Sequence, residues 1–172
     1  MGPGDRPTRP LYTLAERQRR DASPWTLVQG VLAPLQVAIF LVSLVLVLRA
    51  LASGQGQGAA ELSVVVKTLA LYAIMVTGSI WEKAVFGRWL FAPAFFWEDV
   101  VSMLVLALHT AYLVALATGA LDARALLLLA LAAYATYVVN AGQFLLKLRA
   151  ARLEGAGRRA PRLAGALPEG LR

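Results

Sequence analysis

Long apolar runs separated by short charged clusters organise this chain, and the runs have the length of helices. Residues 22–48, between Asp21 and Arg49, give 27 positions without a charge, and residues 100–121 and 125–146 give 22 each. Crossing a hydrocarbon core of ~30 Å takes about 20 residues of helix, so each run is long enough to span. A fourth run, 62–81, carries Lys67 about a turn and a half inside it, yet ELSVVVKTLALYAIMVTGSIW is too long and apolar for a loop. The pattern predicts an all-α integral membrane protein, a four-transmembrane-helix bundle, because lipid offers no partner to an open sheet edge. The expected spans are about 25–48, 62–81, 99–121 and 125–147, inside a membrane domain of residues 21–153. Residues 1–20 and 154–172 flank it. The ends are rich in Gly, Pro and Arg and read as solvated, the second as a flexible tail. The first apolar run begins some twenty residues in and lacks a small-residue cleavage site followed by a soluble domain, so a cleaved signal peptide is not expected.

Within the spans the polar residues fall in stripes. Gln29, Gln36 and Ser43 recur every seven residues in the first span. Thr68, Tyr72, Ser79 and Glu82 share a helical face in the second, Ser102 and His109 in the third, and Thr136, Asn140, Gln143 and Lys147 in the fourth. Polar groups in lipid are costly unless partnered, so each stripe should face the bundle interior. Interhelical hydrogen bonding accounts for such stripes, and a shared polar cavity is the functional alternative. Pro34 lies within the first stripe, where it can kink the helix. Lys67 is expected to snorkel towards the periplasmic side.

Charge sets the orientation. Of 17 Lys and Arg, 14 lie in the two end segments and the loop between the second and third spans, against Arg49 and Arg124 on the other side and Lys67 within a span. By the positive-inside rule both termini and that loop face the cytoplasm. This also accounts for a net charge of +7 without nucleic acid. Cysteine is absent, which excludes disulfides, thiolate catalysis, iron–sulfur clusters and cysteine-ligated zinc. A single histidine excludes bis-histidine haem ligation by one chain. No Walker loop, GxGxxG, HExxH or serine-hydrolase elbow occurs.

The loop WEKAVFGRWLFAPAFFWE holds seven of the fifteen aromatics, namely Trp81, Phe86, Trp89, Phe91, Phe95, Phe96 and Trp97. Such rings favour the membrane–water interface, where they either anchor helix ends or form the wall of a pocket for a planar, greasy ligand. Glu98 and Asp99 open the third helix, where acidic groups complement the helix dipole. Neighbouring positions point about 100° apart, so one of the pair is expected to face a given site. Glu98 shares its face with Ser102 and His109 and is the better inward candidate. Glu82 and Lys83 are expected to form an interfacial ion pair.

Three stretches, RRDASPWTLVQGVLAPLQ at 19–36, KTLALYAIMVTGSIWEKAVFGRWLFAPAFFWEDVVSMLVLALHTAYL at 67–113 and ATYVVNAGQFLLKLRAARL at 135–153, resemble the bacteriochlorophyllide C3-vinyl hydratase family of purple phototrophic bacteria. The resemblance covers roughly residues 11–153. It implies hydration of the ring-A vinyl group of a chlorophyllide or bacteriochlorophyllide to a 1-hydroxyethyl group, in the cytoplasmic membrane of a phototroph. It implies no protein cofactor or metal site, since the substrate carries its own magnesium. Addition of water should begin with a proton on the terminal vinyl carbon, which favours a desolvated carboxyl as acid. Glu98 is the first candidate and Asp99 the second, with Glu82, His109 or Tyr112 orienting the water. Trp81, Trp89, Phe95, Phe96, Trp97, Asn140, Gln143, Lys83 and Arg88 are the candidate substrate contacts. His109, about 16 Å from Glu98 along an ideal helix, is a possible axial ligand to the substrate's magnesium. Lipid is an expected partner, as are neighbouring pigment-biosynthesis enzymes. A non-catalytic pigment-handling or assembly protein is the alternative. A small transporter ranks last, because the spans hold no carboxylate away from their ends.

Overall fold

The computed structural model describes residues 11–165. Five helices follow one another, α1 (Leu14–Ala22), α2 (Pro24–Ser53), α3 (Gln57–Phe86), α4 (Phe96–Thr118) and α5 (Ala123–Gly165), with no strand among the described residues. Four of them, α2, α3, α4 and Ala123–Ala150 of α5, are long and apolar enough to cross a membrane. The chain is a multi-pass membrane protein.

The expected 1–20 segment contains a capped helix. Thr13 accepts from the Glu16 N–H and Glu16 reaches back to the Thr13 N–H, a reciprocal capping box that starts α1. Pro24 then opens α2, where a missing N–H leaves nothing unsatisfied. At the other end, helical backbone continues through residues 154–165, where a flexible tail was expected. Leu, Arg and Ala in 148–160 are strong helix formers and carry it on. Residues 1–10 and 166–172 of the two expected end segments lie outside the described residues.

Helices α2 and α3 pack along each other, as do α4 and α5, and α2 meets α5. The seam between α3 and α4 is thinner than either hairpin. Phe40, Val47, Val64, Leu71, Val105, Tyr112, Ala130 and Tyr134 fill the interior. Leu35, Leu41, Val45, Leu104, Val114 and Val138 are exposed, as lipid-facing residues should be. The polar stripes turn inwards: Gln36, Ser43, Thr68, Glu82, Ser102, His109 and Asn140 are all buried. Several cross-brace the helices. The Ser43 and Tyr134 hydroxyls share a hydrogen bond, Gln29 Nε2 donates to Thr77, and Asn140 Nδ2 donates to Ser102 at 2.7 Å.

Lys67 does not snorkel. It is fully buried, with Nζ 3.8 Å from the centre of the Tyr137 ring. The expected span began at 62, but α3 begins at Gln57, ten residues or about 15 Å before Lys67. The side chain is too far from the helix end to reach water.

Candidate active site

Three buried carboxyls gather at the end of the bundle that holds the α3–α4 connection. Glu82 lies in the penultimate turn of α3, and Glu98 and Asp99 in the first turn of α4. Gly87, at φ +78°, ends α3 in a left-handed turn that a side chain would strain. The loop then folds back between the two helices. Phe91 adopts φ +58°, a conformation that costs an L-residue about 1–2 kcal/mol. The carboxyls hold it there: the Phe91 N–H donates to Asp99 Oδ2 at 2.8 Å and the Ala92 N–H to Glu82 Oε2 at 3.2 Å. Glu82 and Asp99 thus bind the N–H groups of two adjacent loop residues, which sets the two carboxyls side by side.

Glu98 is turned away from this pair. It faces α5, where Lys147 Nζ donates to its Oε2 at 2.5 Å and lies 5.0 Å from the Phe95 ring centre. Both Glu98 and Asp99 are therefore buried, each against a different helix, where only one was expected to face a site. The expected Glu82–Lys83 ion pair does not form. Lys83 points outwards, donates to the Gly87 carbonyl at 3.0 Å and lies 5.8 Å from the Trp89 ring centre.

The aromatic residues divide into two groups. Trp81, Phe86 and Phe95 join Tyr12 and Phe144 in a packed cluster, with Tyr12 stacked on Phe86 at 5.7 Å and Phe95 on Phe144 at 5.8 Å. Trp81 also donates its indole N–H to Thr26. This cluster ties α1 and the loop to the bundle. Arg19 adds a hydrogen bond to the Val85 carbonyl, and Arg20 lies over the Tyr12 ring. Burial pushes the Tyr12 hydroxyl pKa above its ordinary value, against the pull of the Arg20 charge. Trp89, Phe96 and Trp97 face outwards, and Arg88 is exposed beside Trp89.

The thin α3–α4 seam opens as a groove of about 460 Å³, lined by Met75, Val76, Ser79, Trp89, Met103 and Leu106 among others. Ser79 donates to the Trp89 carbonyl at 2.7 Å, fixing the loop across one end. Ser79 is one turn before Glu82 and Met103 one turn after Asp99, so groove and carboxyl pair lie on neighbouring parts of the same helix faces. Nothing in the sequence marks Met75, Met103 or Leu106 as pocket residues, because apolar positions in spans all look alike. A second groove of about 530 Å³ between α2 and α3 is apolar apart from Ser63.

Deeper inside, His109, Tyr112 and Asn140 are buried and Gln143 is half-buried. Tyr112 Oη, Asn140 Oδ1 and Gln143 Oε1 have no hydrogen-bond partner. His109 Nδ1 lies 2.8 Å from the Val105 carbonyl, and Nε2 is unpartnered. Among the described residues no group of three His, Cys, Asp or Glu is arranged to hold a metal.

A model of the 2-vinyl bacteriochlorophyllide hydratase family matches residues 12–150, the four spans and every residue of this site. The chain belongs to that family. A 2-vinyl bacteriochlorophyllide hydratase of Rhodobacter capsulatus is 67% identical over 146 residues, covering 85% of each chain. A hydratase of the same name from Cereibacter sphaeroides is 64% identical over 149 residues, 86% of this chain and 92% of the relative. No solved structure matches the chain.

Proposed function

We propose that this hydratase-family chain adds water to the ring-A vinyl group of a (bacterio)chlorophyllide, position 2 or 3 according to the numbering scheme, giving the 1-hydroxyethyl group in bacteriochlorophyll biosynthesis. The observation that carries the site assignment is an apolar groove ending one helical turn from a buried carboxyl pair. The macrocycle lies in the α3–α4 groove against Trp89, where apolar lining and an open side suit a flat, lipid-borne pigment. That open side also suits exchange with neighbouring pigment enzymes in the same membrane. Arg88 and Lys83 flank Trp89 and meet the substrate's free propionate.

The Glu82–Asp99 pair supplies the acid–base chemistry. Its shared proton goes to the terminal CH₂ of the vinyl group, leaving a cation on the adjacent carbon that the conjugated ring stabilises. Water attacks that carbon and returns a proton to the pair, so the added atoms are one H and one OH and the pair is restored. Two facing carboxyls holding one proton are suited to such a double role. Glu98, the first choice from sequence, is held by Lys147 in an ion pair on the α5 side and does not face the groove's carboxyl pair. His109 is enclosed within the bundle, so axial ligation of the substrate's magnesium is not part of this reading. No protein cofactor is needed. The Lys and Arg distribution supports a cytoplasmic location for this end of the bundle in the bacterial inner membrane.

The test is conversion of 3-vinyl bacteriochlorophyllide by membranes containing the full chain in oxygen-18 water, read by chromatography and mass spectrometry. The expected product is heavier by one labelled water, is lost with Glu82→Gln and is formed with Glu98→Gln. Loss with Glu98→Gln alone overturns the acid assignment. Unchanged pigment that still co-purifies with the wild type favours the non-catalytic pigment-handling alternative.

A further inference from the structure

Lys67 and His109 form a second polar centre, which the proposed chemistry leaves unused. Both are fully buried in the interior, Lys67 on α3 and His109 on α4. They approach α5 one turn apart: Lys67 Nζ is 3.8 Å from the Tyr137 ring centre, and the His109 ring centre is 5.9 Å from that of Tyr134. Neither Lys67 Nζ nor His109 Nε2 has a hydrogen-bond partner. Among the described residues no carboxylate pairs with Lys67, since the two salt bridges join Arg20 to Asp21 and Lys147 to Glu98.

The hydrogen-bonding roles here are fixed by chemistry. The Val105 carbonyl can only accept, so His109 Nδ1 carries the hydrogen and donates to it. Nε2 is therefore a bare lone pair. Lys67 has only donors. An unpartnered donor and an unpartnered acceptor thus stand against neighbouring turns of α5, and Tyr112, one turn along α4 from His109, adds a buried hydroxyl that is also unpartnered. Leaving such groups unsatisfied inside a bilayer is costly, and the Tyr137 ring offsets only part of the cost for Lys67. Water is the ligand with matching chemistry, since one molecule both accepts from an ammonium and donates to an imidazole lone pair.

We propose that Lys67 and His109 together bind ordered water within the bundle, forming a polar bridge that fastens α3 to α4 on the inner side of their thin seam. The outer side of that seam carries the groove and a Tyr72–Thr110 hydroxyl contact at 2.8 Å. The bridge is independent of what the groove binds.

His109 is the only histidine, so nitrogen-15-labelled histidine gives one pair of ring signals with no assignment step. The full chain in lipid nanodiscs is measured by magic-angle-spinning NMR with polarisation transferred from water. The expected spectrum shows the Nδ1–H tautomer, Nε2 at the shift of a hydrogen-bonded acceptor, and rapid transfer from water to the ring. In Lys67→Met, transfer falls and Nε2 moves towards the shift of a free lone pair. An Nε2–H tautomer, no transfer in the wild type, or spectra unchanged in Lys67→Met overturns the proposal. If Lys67→Met does not fold, water transfer in the wild type decides alone.

Discussion

Replacing Asp99 separates the two tasks given to the carboxyl pair, holding the loop and moving a proton. In Asp99→Asn the side-chain shape and one acceptor oxygen remain, so the Phe91 N–H, now 2.8 Å from Asp99 Oδ2, keeps its partner and the left-handed Phe91 stays in place. The new amide can only donate to Glu82, so the proton that the proposed mechanism places between the two carboxyls is gone. Losing a positioned general acid or base costs typically 10²–10⁴ in rate, about 2.7–5.4 kcal/mol at 1.36 kcal/mol per decade. The variant should therefore fold, bind pigment and turn over at least 100-fold more slowly. Asp99→Ala removes the acceptor as well, leaving a buried N–H unsatisfied at about 1–3 kcal/mol against a Phe91 strain of about 1–2 kcal/mol. In that variant the loop should detach, so that pigment affinity falls along with rate. Initial rates on membranes, plus pigment binding by fluorescence quenching, measure both. Turnover of Asp99→Asn within threefold of wild type refutes the proton role. Equal pigment affinity in the Asn and Ala variants refutes the loop role.

Three further outcomes follow from the same contacts. Trp89→Ala removes an exposed ring from the end of the groove and should raise KM several-fold with kcat little changed, as measured by saturation kinetics. Tyr134→Phe removes a buried hydroxyl bonded to Ser43 and should destabilise the purified protein by about 1 kcal/mol, read from thermal unfolding in detergent. Burial raises the Tyr12 pKa above 10.0, so the folded state holds that proton more tightly than the unfolded chain. The resulting stability is present below pH 10 and is lost as pH rises through the raised value. Alkaline unfolding should begin earlier in the wild type than in Tyr12→Phe, and coincident curves would exclude this contribution.

The spans were legible because a charge-free run of 22 or more residues has few fates other than a membrane helix, and seven-residue spacing was enough to turn Gln36, Ser43 and His109 inwards. Helix phase, however, reports which residues of one helix share a face and nothing about what lies across from them. Glu98 shares a face with His109 as expected, but the group opposite it is Lys147, 49 positions away in the chain. Asp99, ranked second, faces Glu82 across the thin seam. The sequence contained both carboxyls and gave each a local explanation, a helix dipole for one and a Lys83 ion pair for the other. Their meeting depends on how the 87–95 connection folds back, which is set by a left-handed Gly87 and a left-handed Phe91. The first is common and the second rare.

That rare conformation bears on function. A phenylalanine does not adopt positive φ without compensation, and here the compensation comes from the two carboxyls that accept from the Phe91 and Ala92 N–H groups. In the proposed mechanism, where the same pair carries the proton, loop shape and proton position are coupled. When the pair gives up its proton, both carboxyls become better acceptors for the Phe91 and Ala92 N–H groups, and the loop carrying Trp89 is held more firmly across the groove. When the proton returns from the attacking water, that grip weakens and the loop is freer to release the product to the bilayer. A site of this kind needs no separate lid, because the chemistry itself alternates the strength of the closure. This coupling also explains why the carboxyls stand at the end of the span. There they can reach both a loop backbone and a lipid-borne ring, whereas at mid-span, where His109 and Lys67 sit, there is no loop to hold.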